Sequence, residues 1–256
     1  MKFGVMNHPR ENVLEEINWV KNHDFDFIDL TYEPPFSDNY NAKEIRAMLL
    51  DSKLEVVGHT SPSLPAIFPV EEIRKASLDE LKKAFDFLKS VGAEKVNIHP
   101  FYYSSHQDIA AVIDANISFL GKAIRHTNEI GLKLMLENSL APFDTAAVFK
   151  RILSSVPDLF IHLDIGHTNI NNNPLLLTKN FFKVFGQKII HLHIHDNNGK
   201  LDQHLPVGCG DIDWQMIFKL LKSNNYQNTM TLEVFCLDRD YLIISRQKVL
   251  EIIVNK

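Results

Sequence analysis

Short apolar runs alternate along this chain with longer stretches in which apolar residues recur every three or four positions, and the alternation repeats eight times. The short runs cover residues 2–7, 25–32, 54–61, 95–101, 132–139, 159–168, 189–197 and 229–235. They are rich in Val, Ile, Leu and Phe, and read as strands buried on both faces. Between and after them, residues 12–23, 42–53, 70–91, 108–130, 145–156, 174–185, 213–224 and 239–254 carry the period of amphipathic helices. Gly92 and Gly131 fall just past helix ends, and Asp108 and Asp213 stand where N-caps are expected.

Eight strand–helix units with no linker between them predict an α/β protein, one domain over residues 1–256, folded as a closed parallel (β/α)8 barrel. A doubly wound open sheet is the competitor. It usually has fewer units and a glycine-rich first turn, whereas the first turn here reads N-H-P-R-E.

Composition narrows the setting. Of the 256 residues, 45% are hydrophobic and 23% charged, ordinary proportions for a globular chain. Cys209 and Cys236 are the only cysteines, so no disulfide framework is expected, and reduced thiols in a cytoplasmic setting fit better. The N-terminal apolar run is too short for a secretory signal, and no run approaches the roughly 18 apolar residues of a membrane span. A net charge of −5 argues against a broadly basic nucleic-acid surface, while leaving room for a local basic groove.

In a (β/α)8 barrel the active site is built at the carboxyl ends of the strands. The third and fourth strands end in His59 and His99, and the fifth in Glu137. The sixth delivers Asp164 and His167, the loop after the seventh carries Asp202 and His204, and the eighth holds Glu233. Singly, each histidine reads as an ordinary hydrogen-bonded core residue. Glu137 in L-M-L-E-N and Glu233 in T-L-E-V are harder to dismiss, because a buried unpaired carboxylate is costly. Carboxylates and imidazoles converging on one rim are what a divalent cation compensates. The donors are nitrogen and oxygen without thiolate, which suits Zn, Mn, Fe or Co better than Ca or Mg. His8, His23, His106 and His126 are assigned no catalytic role.

The seventh strand reads I-I-H-L-H-I-H-D-N and turns His191, His193 and His195 to one face. At ~3.3 Å per residue, His191 and His195 stand roughly 13 Å apart, too far for one ion to take both.

The chain resembles the xylose-isomerase-like TIM-barrel superfamily, which holds sugar and sugar-phosphate isomerases and epimerases and the type-IV AP endonucleases. The resemblance runs over the whole chain. It rests on L-E-N at Glu137, H-L-D-I-G-H around Asp164 and His167, H-I-H-D-N from His193, D-Q-H-L-P-V-G-C-G-D-I-D-W from Asp202, and L-E-V at Glu233. It implies a metal held, as in the epimerases, by Glu137, Asp164, His193 and Glu233. By analogy with the endonucleases' three-zinc cluster it adds His59, His99, His167, Asp202 and His204 as further ligands. Among the three histidines it singles out His193, leaving His191 deeper in the core and His195 at the rim.

The implied activity is a divalent-metal-dependent isomerase or epimerase of a small sugar or sugar phosphate. It would use zinc or manganese, one to three ions, and a metal-stabilised enediolate. Glu137 and Glu233 would serve as the catalytic acid–base pair, and His167 would bind hydroxyls or polarise a carbonyl. The alternative is a zinc-dependent phosphoester hydrolase of the AP-endonuclease kind, and a metal-stabilised binding module ranks below both. Departures from the endonucleases are N-S-L-A-P-F after Glu137 and Val-Phe after Glu233, and Ser139 replaces the lysine of the hydride-shifting isomerases. The expected partner is a small carbohydrate rather than nucleic acid or membrane, and a homodimer is the commonest assembly for homo-oligomers in general.

Overall fold

The computed structural model describes residues 1–102, 108–170 and 173–254, so His106 lies outside the described residues. Eight strands, β1 (Lys2–Met6), β2 (Phe27–Tyr32), β3 (Glu55–Thr60), β4 (Lys95–Ile98), β5 (Lys133–Glu137), β6 (Phe160–Asp164), β7 (Ile189–Ile194) and β8 (Thr229–Leu232), form a closed barrel in sequence order. Every neighbouring pair is parallel, and β1 closes on β8. The helices α1 (Val13–Asn22), α2 (Ala42–Ser52), α3 (Glu71–Val91), α4 (Ile109–Glu129) and α5 (Ala146–Ser155) follow the first five strands in turn. Two helices, α6 (Ile165–Asn169) and α7 (Pro174–Phe185), follow β6, and α8 (Trp214–Ser223) and α9 (Asp240–Val254) follow β7 and β8. This is the (β/α)8 barrel that the hydrophobic alternation predicts. Among the described residues, no helix is long and apolar enough to cross a membrane.

The helices form where their apolar stripes can pack on the outer face of the barrel. α4, for example, buries Val112, Phe119, Leu120 and Ala123 at helical spacing. Its cap is Asp108, which accepts the Ala110 N–H at 3.4 Å, and Asp213 caps α8 by accepting from Met216 at 3.0 Å. Gly92 closes α3 with φ 110, a left-handed conformation that side chains resist.

The strands are shorter than their apolar runs. The expected sixth strand, residues 159–168, leaves the ladder at Asp164, whose carboxylate accepts the His167 N–H at 2.8 Å and starts α6. β7 likewise ends at Ile194, and Asp196 pairs instead with Leu205 in an antiparallel bridge. Loops that fold down onto the barrel need apolar residues as much as strands do, so apolar runs overshoot the ladder.

Alternation along the strands sorts the interior into layers. Phe27, Val57 and Met135 form a small apolar plug of their own, separate from the large core between barrel and helices. Two residues further along the same three strands come Asp29, His59 and Glu137, all buried. The plug therefore supports a polar layer at the carboxyl ends. Replacing Phe27 by Ala should destabilise the fold by about 3–5 kcal/mol in urea unfolding, and a loss below about 1 kcal/mol would contradict this packing.

Candidate metal centre

His193 stands where β7 meets the polar layer, fully buried. Three carboxylates from three other strand ends surround its Nδ1: Glu233 Oε2 at 2.9 Å, Asp164 Oδ2 at 3.8 Å and Glu137 Oε1 at 3.9 Å. Glu137 ends β5, Asp164 ends β6, and Glu233 stands one residue beyond β8. Beyond this close contact, His193 Nδ1, Glu233 Oε2 and Asp164 Oδ2 are buried with no aligned hydrogen-bond partner among the described residues. Three buried acidic groups around one imidazole nitrogen, with donor atoms left unpaired, call for a positive ion.

Each of these side chains is held from behind. His193 Nε2 donates to Asp29 Oδ2 at 3.0 Å, so Nδ1 is the nitrogen that faces the carboxylates. Asp29 also accepts from Thr231 Oγ1 at 2.8 Å and meets His191 Nε2 at 3.2 Å. His191 Nδ1 in turn lies 2.7 Å from Thr229 Oγ1. Glu137 accepts from Asn97 Nδ2 at 2.8 Å, and Asn97 is itself fixed by the Thr60 N–H, 2.8 Å from its Oδ1. Asn138 clamps the Asp164 backbone on both sides, accepting from its N–H at 2.6 Å and donating to its carbonyl at 3.0 Å.

Beside this centre lies a second group. His167 Nδ1 donates to the Asn138 carbonyl at 2.8 Å, and His204 Nδ1 to the Glu233 carbonyl at 3.0 Å. Both Nε2 atoms then face one oxygen, Asp202 Oδ2, at 3.1 and 3.2 Å. His195 stacks on His204 with ring centroids 4.0 Å apart, its Nε2 3.2 Å from Asp164 Oδ1. A third group joins His59 and His99 to Glu137, with His99 Nε2 3.2 Å from Glu137 Oε2.

The electrostatics follow from this crowding. Burial pushes the Glu137 and Glu233 carboxyls up, but the surrounding imidazoles outweigh it and hold both well below the usual carboxylate range. Burial likewise works against charge on His193, yet Glu233, Asp29 and Glu137 raise it well above an ordinary histidine. His204 is raised to about 10 by Asp202 and Glu233 against the same burial. A cation bound by these carboxylates and imidazoles would compete with protons for the same atoms. Burial instead lowers His59 and His191 to about 4, against the pull of Asp29.

All nine residues singled out in the sequence converge on this end of the barrel. Asp202 and His204 come from the loop after β7, and the others stand at or just beyond strand ends. His195, expected at the rim, stands one residue past the end of β7 and is fully buried against His204. The cause is Gly166, where a Cβ would lie 2.0 Å from the His195 ring, so the missing side chain makes the space. The aspartate and asparagine after it are struts. Asp196 accepts from Gly208 N–H and Trp214 Nε1, each at 2.9 Å, and Asn197 donates to the Gly166 carbonyl at 2.9 Å. Sequence reasoning missed Asp29, Asn97 and His162. Asp29 carried a signal, an acid inside the apolar run F-I-D-L. His162 lies 3.3 Å from Glu137 Oε2 and has neither ring nitrogen hydrogen-bonded.

Comparison with known proteins adds to this geometry. Residues 17–251 match the family described as xylose isomerase-like TIM barrel. An uncharacterised protein of Methanocaldococcus jannaschii is 35% identical over 157 residues, 60% of this chain and 61% of its own length. The fructoselysine 3-epimerase of Escherichia coli O157:H7 is 26% identical over 206 residues, 75% of this chain and 72% of its own. Among solved structures, a D-tagatose 3-epimerase-like protein superposes with a TM-score of 0.88 at 26% identity, covering 100% of this chain and 99% of its own.

Asp29→Asn keeps the shape of the support beneath His193 but removes its charge. Affinity for a divalent cation should fall about 10–100-fold, read by competition with a chromophoric chelator. Unchanged affinity would show that Asp29 does not orient the ligand.

Proposed function

Because the chain belongs to the xylose isomerase-like TIM-barrel family, we propose that it is a divalent-metal-dependent isomerase or epimerase of a small sugar or sugar phosphate. The observation that carries this reading is the ring of Glu137, Asp164 and Glu233 around His193 Nδ1 at the carboxyl end of the barrel. The likeness of the chain to a fructoselysine 3-epimerase and to a D-tagatose 3-epimerase-like protein supports it. The donor set suits zinc or manganese.

Glu137, Asp164, His193 and Glu233 would hold the cation. Bound there, it would supply Lewis acidity toward the carbonyl of a sugar substrate, favouring enediolate chemistry at the neighbouring carbon. The protein's own groups move the proton. Glu137 and Glu233 arrive from β5 and from just beyond β8, three strands apart around the barrel, and serve as base and acid on the two faces of the reacting carbon. Asn97 and His99 keep Glu137 oriented and ionised, as His204 does for Glu233. His167, half-buried beside Glu137, binds substrate hydroxyls.

One observation favours a second reading, a zinc-dependent phosphoester hydrolase. The groups of His167, Asp202 and His204, and of His59, His99 and Glu137, add ligands beyond those one ion needs. Metal analysis separates the two readings. The isomerase reading expects about one manganese or zinc per chain and no cleavage of an abasic-site duplex. About three zinc with strand cleavage would replace it by the hydrolase. Glu137→Gln should abolish solvent-proton exchange at the α carbon of a ketose substrate while metal stays bound, and unimpaired exchange in that variant would remove Glu137 from the mechanism.

A further inference from the structure

A cavity of about 530 Å³ opens at the opposite end of the barrel, lined by the first residues of β1, β3, β4, β5 and β8. Its size lies in the range of small-ligand sites, roughly 300–1,000 Å³. The plug of Phe27, Val57 and Met135 lies between it and the metal centre.

Four cationic side chains line this cavity, Lys2, Arg46, Lys95 and Lys133, against two carboxylates, Glu55 and Glu94. Lys2 takes up Glu55 in an ion pair. Arg46 donates to the Val91 carbonyl at 3.1 Å, a neutral acceptor. Lys95 reaches across the barrel floor and donates to the Ile190 carbonyl at 2.9 Å and to Thr229 Oγ1 at 2.5 Å. Both acceptors are again neutral, and an ammonium has three protons to donate. Lys133 is the direct register partner of Lys95 on the next strand, so two like charges stand side by side. Among the described residues neither lysine forms an ion pair. Burial pulls the Lys95 ammonium down to about 8 although Asp29 and Glu55 act to raise it. A half-buried ammonium with no ion-pair partner among the described residues, beside a second one, is favoured when an anion joins them.

We propose that this basal cavity is a binding site for a phosphate group, either inorganic phosphate or the phosphate of a small metabolite, anchored between Lys95 and Lys133. Phosphate has acceptor oxygens enough to engage both ammonium groups at once, and its double charge offsets the local excess of positive side chains. The site is separate from the proposed catalytic centre and does not depend on the reaction assigned there.

Metal-stripped protein titrated with inorganic phosphate, by calorimetry and by phosphorus NMR line widths, tests the site. Glycerol 3-phosphate serves as a second probe. One saturable site is expected, with a dissociation constant on the order of 1 mM or tighter. Lys133→Gln, at an exposed strand start, should weaken it by at least about tenfold, the effect of one charge-assisted hydrogen bond. Lys95→Met should abolish it, with circular dichroism checking the fold of both variants. Equal binding of glycerol 3-phosphate assigns the site to phosphate esters, and binding of inorganic phosphate alone assigns it to the free ion. Absence of saturable binding, or an affinity unchanged in Lys133→Gln, overturns the proposal.

Discussion

His193 is gripped by carboxylates at both ends of its ring. Asp29 takes Nε2 from below, and Glu137, Asp164 and Glu233 crowd Nδ1 from above. Everything else in the upper barrel follows from the need to satisfy these charges without water. The surrounding imidazoles hold the carboxylates ionised, the asparagines hold the carboxylates in place, and Thr231 and His191 hold Asp29. A neutral interior would fold more simply. Buried charge of this density is retained in proteins where it binds or reacts.

The barrel makes the arrangement possible by bringing strand ends together that are far apart in the chain. Asp29 and His193 are 164 residues apart in sequence, yet they touch because β2 and β7 both project inward at the same height. The apolar plug keeps this layer from being an open pore. Along one side, hydrogen bonds pass from Lys95 through Thr229, His191 and Asp29 to His193, so the floor and the metal centre share a continuous polar column.

Much of this was legible in the sequence, for physical reasons. Strands buried on both faces must be apolar throughout, and helices that pack on one side must be periodic, so their alternation identifies the barrel. Glu137 and Glu233 stood out because a carboxylate among leucines needs a partner. Asp29 carries the same anomaly, but it lies in the middle of its strand, away from the carboxyl end where barrel chemistry is expected. The extent of β6 and the depth of His195 were beyond reading along the chain. Each depends on a contact between segments: the Asp164 cap that starts α6, and the space above Gly166 that receives the imidazole. The roles of Asn97 and Asn138 were hidden for the same reason, since an asparagine shows no preference until its partners are in place.

In the proposed function, the carboxylates around His193 hold a divalent cation. A crystal of the protein grown with manganese, measured for anomalous scattering, tests this directly. The strongest anomalous peak is expected within bonding distance of His193 Nδ1 and of the Glu137, Asp164 and Glu233 carboxylates. A map with no peak there, at saturating manganese, would contradict it.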